Sequence, residues 1–436
     1  MPRRRAYQPV AVLINNRRVG ILDKQSNGAI SFDYAQEWLE WQHAFPVSLS
    51  LPLSNERYSG GAVAAVFENL LPDSARILTL VAQRVGAQGS DAFSLLSEIG
   101  RDCVGAMQFL PVEAANTEVS AITGAPVGDA EIERLLKNLV RAPLGIDGDE
   151  DFRISVAGAQ EKTALLWHCN SWLRPSGTTP TTHILKPQIG HIESAGGTID
   201  LSHSVENEHY CLTLLRGFGL KTANTRMETF GSVKTLVIER FDRRWTRDDR
   251  LLRLPQEDFC QALSVHPTVK YQNEGGPGIV QIMTLLQGSD DAVADRLAVF
   301  KAHILFWLIG APDGHAKNFS VFLKPGGRFS LTPFYDVLTG QLASDTGQIR
   351  RNAFKLAMSA GDNRHYRMNE LSGRHFMETG REAGLSVAVI KRVFSKIHEA
   401  SRSAFETAGQ AMPAGFPTEI STAVEVAFNK RLRHLD

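Results

Sequence analysis

The segment Ala311-Pro312-Asp313-Gly314-His315-Ala316-Lys317-Asn318, with Pro333-Phe334-Tyr335-Asp336 behind it, holds a carboxylate, an amide five positions on and a second carboxylate. Between the two pieces the residues read as a β-hairpin. Residues 321–324 run out, Pro325-Gly326-Gly327 turns, and residues 328–332 return. Asn318 and Asp336 each lie nine positions from Gly327. A hairpin brings symmetric positions together. Both should therefore sit at its open end, with Asp313 just upstream. A base and two oxygen ligands for a hard cation are what phosphoryl transfer requires.

Around this hairpin the chain is mostly helical. Residues 290–309 form a long periodic run before it. After it, Val389, Val393, Ile397, Ala400 and Ala404 mark one helical face within 386–407, and 418–435 reads as a last helix. Upstream of Pro255 strands dominate: 153–156, 163–167, 172–174, 182–186 and 235–239. One helix stands among them over 205–218, with Ser204 as N-cap and Gly219 as stop. The first hundred residues are β-rich and then mixed. A strand pair turns at Asn15-Asn16, strands follow at 30–34 and 47–51, and helices at 63–71 and 73–85 meet at Pro72. Asp129 caps a helix over 130–141. The acidic, glycine-punctuated stretch 145–151 marks a boundary, and an exposed loop inside one domain fits it too. The expected organisation is α+β in three parts: a β-rich N-terminal module (1–148), a strand-rich mixed lobe (149–255) and a large, mostly helical lobe (256–436) carrying the hairpin.

Composition bounds the function classes. The chain has 436 residues, 43% apolar and 22% charged, as ordinary globular proteins do. No apolar run reaches the ~18 residues of a membrane span, and no apolar signal core follows the basic start, so a cytoplasmic protein is the simplest expectation. The 47 Lys and Arg balance the 47 Asp and Glu, which argues against a free-standing nucleic-acid binder. Cys103, Cys169, Cys211 and Cys260 are too scattered for a structural zinc site and read as buried thiols.

Transfer of phosphate from ATP also needs a backbone cradle and a cation. Ser155-Val156-Ala157-Gly158-Ala159-Gln160-Glu161-Lys162 lies between two strands, and its small residues admit phosphate oxygens. On its own the segment fits a tight hairpin turn better. Lys186 closes an apolar strand before Pro187 and can reach phosphates, or simply snorkel to water; Glu206 or Glu208 is its candidate partner. Glu239-Arg240-Phe241-Asp242, where a strand runs into an irregular segment, offers backbone groups for an adenine edge, though an ordinary strand exit reads the same way. The sharpest group is Asp313, Asn318 and Asp336. The spacing from Asp313 to Asn318 is that of the protein-kinase catalytic loop H-R-D-x-x-x-x-N. No second His or Cys stands near His315 at zinc-ligand spacing.

These motifs resemble those of the HipA kinase family, the toxins of HipBA toxin–antitoxin modules. The resemblance rests on residues 153–163, on Glu239-Arg240-Phe241-Asp242-Arg243-Arg244-Trp245, and on Asp313 to Asn318 with Phe334-Tyr335-Asp336. In the N-terminal module it extends to Glu68-Asn69-Leu70-Leu71-Pro72-Asp73-Ser74 and Ser97-Glu98-Ile99-Gly100-Arg101-Asp102. It implies a protein-kinase-like fold and serine/threonine kinase activity with ATP and Mg²⁺. Asp313 would be the catalytic base, and Asn318 and Asp336 would hold Mg²⁺. Lys186 would contact the triphosphate, and Ala157, Gly158, Ala159, Gln160, Glu161 and Lys162 would form the phosphate loop. The backbone of Glu239, Arg240 and Phe241 would bind adenine, while His315, Ala316, Lys317 and Tyr335 line the same segments.

The resemblance also implies autophosphorylation at Ser155, which switches the kinase off. The added charge of about −1.5 to −2 beside a loop built for anions would expel the loop. Glutamyl-tRNA synthetase is the implied substrate, with arrested translation and persistence as the outcome. A HipB-like helix-turn-helix antitoxin dimer is the implied partner, with operator DNA reached through that complex. A co-repressor with little kinase activity is the alternative. The region from Arg374-His375-Phe376 to Arg381-Glu382-Ala383-Gly384 is less basic than the family pattern, which leaves direct DNA contact open. Pro312 and residues 343–351 also depart from that pattern.

Overall fold

The computed structural model describes residues 7–114, 122–139, 160–194 and 197–435. Two compact units share the chain. One comprises Met1–Pro187, Glu228–Thr268 and Val321–Phe329; the other comprises Gln188–Met227, Val269–Ser320 and Ser330–Asp436.

The first unit begins with the antiparallel pair Val10–Ile14 and Arg17–Lys24. Asn15 and Asn16 take φ of 46° and 67°, the left-handed conformation that a type I′ turn needs and asparagine tolerates. The sheet has five strands in the order Tyr58–Ser59, Ile30–Tyr34, Arg17–Lys24, Val10–Ile14, Met107–Pro111. Helices Gly61–Glu68 and Ala75–Val85 are separated at Pro72, as expected, and Ser74 caps the second by accepting from the Ile77 N–H. The strand expected at 47–51 reduces to a single bridge between Ser48 and Leu51. There the Ser50 N–H donates to the Ser48 hydroxyl at 3.1 Å and the Leu49 N–H to Glu257 Oε1 at 2.8 Å. Side chains satisfy this backbone in place of a neighbouring strand.

The unit's larger sheet has six strands in the order Thr225–Phe230, Val233–Glu239, His183–Pro187, Thr163–His168, Ser171–Pro175, Gly124–Pro126. The helix Asp129–Asn138 contributes Ile132 and Leu136 to a core with Leu165, Trp172, Leu185, Phe230 and Val237. Its N-cap is Gly128. Asp129 stands in the first turn instead, where its charge still suits the helix dipole. The strand expected at 153–156 and the boundary at 145–151 lie outside the described residues. A three-stranded sheet joins Gln256–Asp258, Ser320–Lys324 and Arg328–Leu331. The last two are the expected hairpin, and Gly326 and Gly327 turn it with φ of 75° and 72°.

The second unit is mainly helical. Its centre is Ala292–Ile309, buried from Val299 to Ile309 except at Lys301, capped by Asp291 and ended by Gly310 at φ 71°. Around it stand Ser204–Gly217, Gly373–Glu382, Val387–Gln410 and Thr418–Leu432. Ring contacts such as Trp307–Phe376 (centroids 5.1 Å) and Phe218–Phe428 (5.4 Å) tie these helices together. His203, not Ser204, is the N-cap of Ser204–Gly217; the Ser204 hydroxyl accepts from the Ile189 N–H at 2.9 Å. Among the described residues no helix is long and apolar enough to cross a membrane. Cys103, Cys211 and Cys260 are buried, whereas Cys169 is exposed at a turn with φ 48°.

Candidate active site

The loop from Ala311 to Asn318 follows the buried helix Ala292–Ile309 directly. A Cβ at Gly314 would lie 2.5 Å from the Phe306 ring, so only glycine lets the loop fold back on that helix. The next residues close into a single 3-10 turn, Ala316–Asn318. His315, Ala316, Lys317 and Asn318 are buried, while the Asp313 side chain remains 52% exposed. The Asn318 Nδ2 donates to the Asp313 main-chain oxygen at 2.7 Å. This bond closes the five-residue loop. With its nitrogen committed, the amide keeps Oδ1 as its acceptor atom.

The far end of the hairpin returns to the same place. The Thr332 N–H donates to the Ser320 oxygen at 3.0 Å, and Phe334 exchanges main-chain bonds with Lys221 and Ala223 at 2.8 Å each. Tyr335 then reaches across, its hydroxyl donating to the Lys317 oxygen at 2.8 Å and lying 2.5 Å from Ser320 Oγ. Tyr335, next to Asp336 in the chain, is thus tied to Lys317, next to Asn318, at the hairpin's open end. Asp336 itself has φ 58°. A non-glycine residue there is uncommon, and aspartate is among the few side chains that tolerate it.

A tyrosine from elsewhere completes this group. The Tyr271 hydroxyl donates to Asp313 Oδ1 at 2.5 Å, and its ring stands edge-on to His315 with centroids 4.9 Å apart. His315 Nε2 is 3.9 Å from the same carboxylate oxygen. A cleft of about 260 Å³ opens beside them, lined by Tyr271, Pro312, Asp313, Lys355 and Tyr366 among others. Sequence reasoning missed Tyr271. The glycine-rich run Glu274-Gly275-Gly276-Pro277-Gly278 just after it was the available signal.

The other candidate residues belong to the first unit. Thr163 pairs with Leu185 across the sheet, which brings Lys162 and Lys186 to one end of adjacent strands, both buried. Gln160 Nε2 lies 3.5 Å from the Pro187 oxygen, joining the two candidate phosphate segments. Burial raises the pKa of the Glu161 carboxyl, with Arg76 opposing. Ser155, Ala157, Gly158 and Ala159 lie outside the described residues. Glu206, one candidate partner of Lys186, accepts from Gln188 Nε2 at 2.7 Å.

The segment Glu239 to Asp242 leaves the sheet as anticipated. Glu239 is the last residue paired with the neighbouring strand, opposite His183, and the Arg240 N–H donates to the Thr182 oxygen at 2.9 Å. The Arg240 side chain turns into a buried ionic cluster. Asp102 Oδ1 accepts from Arg243 at 2.9 Å and Arg253 at 3.0 Å, while Oδ2 accepts from the Thr181 N–H and hydroxyl. Asp242 meets Arg240 at 2.8 Å and Arg243 at 2.9 Å. Burial alone would raise the Asp242 carboxyl, but the guanidinium groups of Arg240 and Arg243 outweigh it and hold it below the usual range. The motifs around Asp102 and Asp242 therefore converge as a structural clamp.

Among the described residues no group of three or more His, Cys, Asp and Glu gathers as a metal cage. Asn318 and Asp336 carry oxygen donors of the kind that a hard cation such as Mg²⁺ takes.

Residues 154–405 match the family model described as the HipA-like C-terminal domain, and residues 10–110 match the HipA N-terminal domain. A Sinorhizobium fredii protein named as a kinase, Y4mE, is 31% identical over 394 residues, 89% of each chain. The serine/threonine-protein kinase toxin HipA of Shewanella oneidensis is 29% identical over 357 residues, 77% of this chain and 76% of that one. A chain from the Shewanella oneidensis complex of HipA, HipB and its operator DNA superposes with a TM-score of 0.79 at 23% identity, covering 98% of both chains. The last likeness shows a shared α+β fold.

Proposed function

Because the chain belongs to the HipA family, we propose that it is a serine/threonine-protein kinase acting as the toxin of a toxin–antitoxin module in the cytoplasm. One observation carries the reading. Asp313 and Asn318 are closed into a single loop by a 2.7 Å bond, and the residue before Asp336, Tyr335, is bonded to the Lys317 oxygen of that loop.

In this reading Asp313 takes the proton from the acceptor hydroxyl as its oxygen bonds to the transferred phosphorus and the bond to the ADP oxygen breaks. Such a base is worth roughly 10²–10⁴ in rate. Asn318 and Asp336 present oxygens to Mg²⁺, which when bound neutralises charge on the transferring phosphoryl group. Lys186, with Gln160, Glu161 and Lys162 and the preceding Ala157, Gly158 and Ala159, holds the phosphates. The backbone of Glu239 and Phe241 takes the adenine edge. Ser155 is the autophosphorylation site that switches the enzyme off.

The proposed substrate is glutamyl-tRNA synthetase. The proposed partner is a HipB-like helix-turn-helix antitoxin dimer, through which the chain reaches operator DNA. The similar Shewanella oneidensis protein, whose structure is of a complex with HipB and operator DNA, supports that choice of partner.

The test is phosphate transfer from Mg²⁺-ATP to purified glutamyl-tRNA synthetase, followed by intact-mass analysis of both proteins. The wild-type chain should add one phosphate to the synthetase and one to Ser155, and Asp313→Asn and Asp336→Asn variants should add neither. Equal transfer by the variants would overturn the assignment, and labelling of a small metabolite would redirect it to another kinase class.

A further inference from the structure

We propose that Tyr271 is a positioning residue for the phosphoryl-acceptor side of the site: it fixes the Asp313 carboxylate so that one oxygen faces the incoming hydroxyl. The inference rests on the reading of Asp313 as the base. A carboxylate on an exposed loop can rotate about its side-chain bonds, and each rotation spoils the alignment that proton abstraction needs. Asp313 is such a side chain, about half exposed. The Tyr271 hydroxyl binds its Oδ1 at 2.5 Å. Oδ2 is left as the free end.

The tyrosine is itself fixed at three points. Its ring stands edge-on to the buried His315 ring, 4.9 Å away, so it cannot swing without losing that packing. Its backbone starts a tight turn. The Glu274 and Gly276 N–H groups both donate to the Tyr271 oxygen, at 3.0 and 2.9 Å. Side chains would not fit in this turn: a Cβ at Gly276 would run into the Val269 oxygen, and one at Gly278 into the Gln272 amide. Finally, Gln272 Oε1 accepts from the Ser359 N–H at 2.7 Å and hydroxyl at 3.0 Å. That pins the turn to the strand Lys355–Ala360, whose first residue lines the cleft beside Asp313. The run Lys270-Tyr271-Gln272-Asn273-Glu274-Gly275-Gly276-Pro277-Gly278 is thus a rigid mount for one phenol, and it spends an unusual number of glycines on that task. A surface tyrosine with no role would need none of this.

The phenol acts through Asp313. Its loss should therefore appear in turnover and leave nucleotide binding alone. The experiment compares wild type, Tyr271→Phe and, as the control for the base, Asp313→Asn, with the full chain, Mg²⁺-ATP and glutamyl-tRNA synthetase. Transfer rates, KM for ATP and thermal midpoints are read for each. Tyr271→Phe keeps the ring against His315, so its midpoint should match wild type. Its kcat should fall ~10–100-fold, the usual effect of removing a group that orients a functional side chain, with KM for ATP unchanged within twofold. A Tyr271→Phe chain as fast as wild type, or one whose KM for ATP rises in step with the loss of kcat, would overturn the proposal. If Asp313→Asn itself is fully active, or wild type transfers nothing, the kinase reading falls and the inference with it.

Discussion

The side-chain amide of Asn318 and the main-chain oxygen of Asp313 are 2.7 Å apart, so one residue both shapes the loop that carries the proposed base and offers an oxygen to the proposed metal. The two jobs use different atoms of the amide. Nδ2 holds the loop, and Oδ1 points elsewhere. Substitutions can separate them.

Asn318→Asp keeps an oxygen for the cation but removes the donor and sets a negative charge against the Asp313 carbonyl. Asn318→Ala removes both. We expect Asn318→Ala to need more Mg²⁺ for half-maximal rate and to lose ~10–100-fold in kcat. Asn318→Asp should lose rate with a smaller change in Mg²⁺ requirement. A Mg²⁺ titration of transfer rate checks this, and identical titration curves for wild type and Asn318→Ala would remove Asn318 from the metal.

Tyr335 joins the two ends of the hairpin through the Lys317 oxygen and Ser320. Tyr335→Phe breaks that bridge and keeps the ring. A part-buried hydrogen bond of this kind contributes about 0.5–1.5 kcal/mol, so the thermal midpoint should drop by only a few degrees. The rate should drop more, because Asp336 follows Tyr335 directly at φ 58° and loses its anchor. A rate equal to wild type would mean that Asp336 is positioned by Phe334 and its main-chain bonds alone.

The hairpin and the helices around it were legible in the sequence. The symmetric spacing of Asn318 and Asp336 about Gly327 follows from hairpin geometry, and the strands Ser320–Lys324 and Arg328–Leu331 form where the turn residues say they should. The helices Ala292–Ile309 and Val387–Gln410 follow from strong periodicity with Asp291 and Ser386 as caps. What failed had long-range causes. The alternation at 47–51 looks like a strand, but Glu257, more than two hundred residues away, takes the Leu49 N–H. The cluster of Asp102, Asp242 and three arginines joins distant segments, and no local pattern marks its members as partners. Tyr271 has the same kind of cause: the glycine run after it marks a turn, but its partner, the Asp313 carboxylate, lies forty-two residues on.

The buried cluster leads to a stability prediction. Asp102 answers Arg243 and Arg253 and lies near Arg240, and all four side chains are almost fully buried. Asp102→Asn keeps the shape and removes one negative charge, leaving guanidinium groups partly uncompensated. Breaking such a buried pair from one side costs about 3–5 kcal/mol. Urea unfolding should show a loss of that order, little relieved by salt, since buried charges are poorly screened. A change under about 1 kcal/mol would mean that water or a relaxed arginine replaces the lost charge.

Glu257 gives the opposite kind of prediction, one in pH. Burial pushes its carboxyl up to about 8, against the Ser48 hydroxyl and the Leu49 N–H, which lower it. Its Oε2 is buried with no hydrogen-bond partner among the described residues, consistent with a protonated acid. The unfolded carboxyl would release its proton near 4.5. Between about 4.5 and about 8, therefore, the folded chain binds one more proton than the unfolded chain. Stability from this group then falls as pH rises, by about 1.4 kcal/mol per pH unit at most. Glu257→Gln has no proton to lose and keeps an acceptor for Leu49. Its unfolding free energy relative to wild type should improve steadily from pH 5 to pH 8. Parallel stability curves for the two proteins over that range would mean that Glu257 is ionised in the folded chain, and that Ser48 and Leu49 stabilise a buried carboxylate.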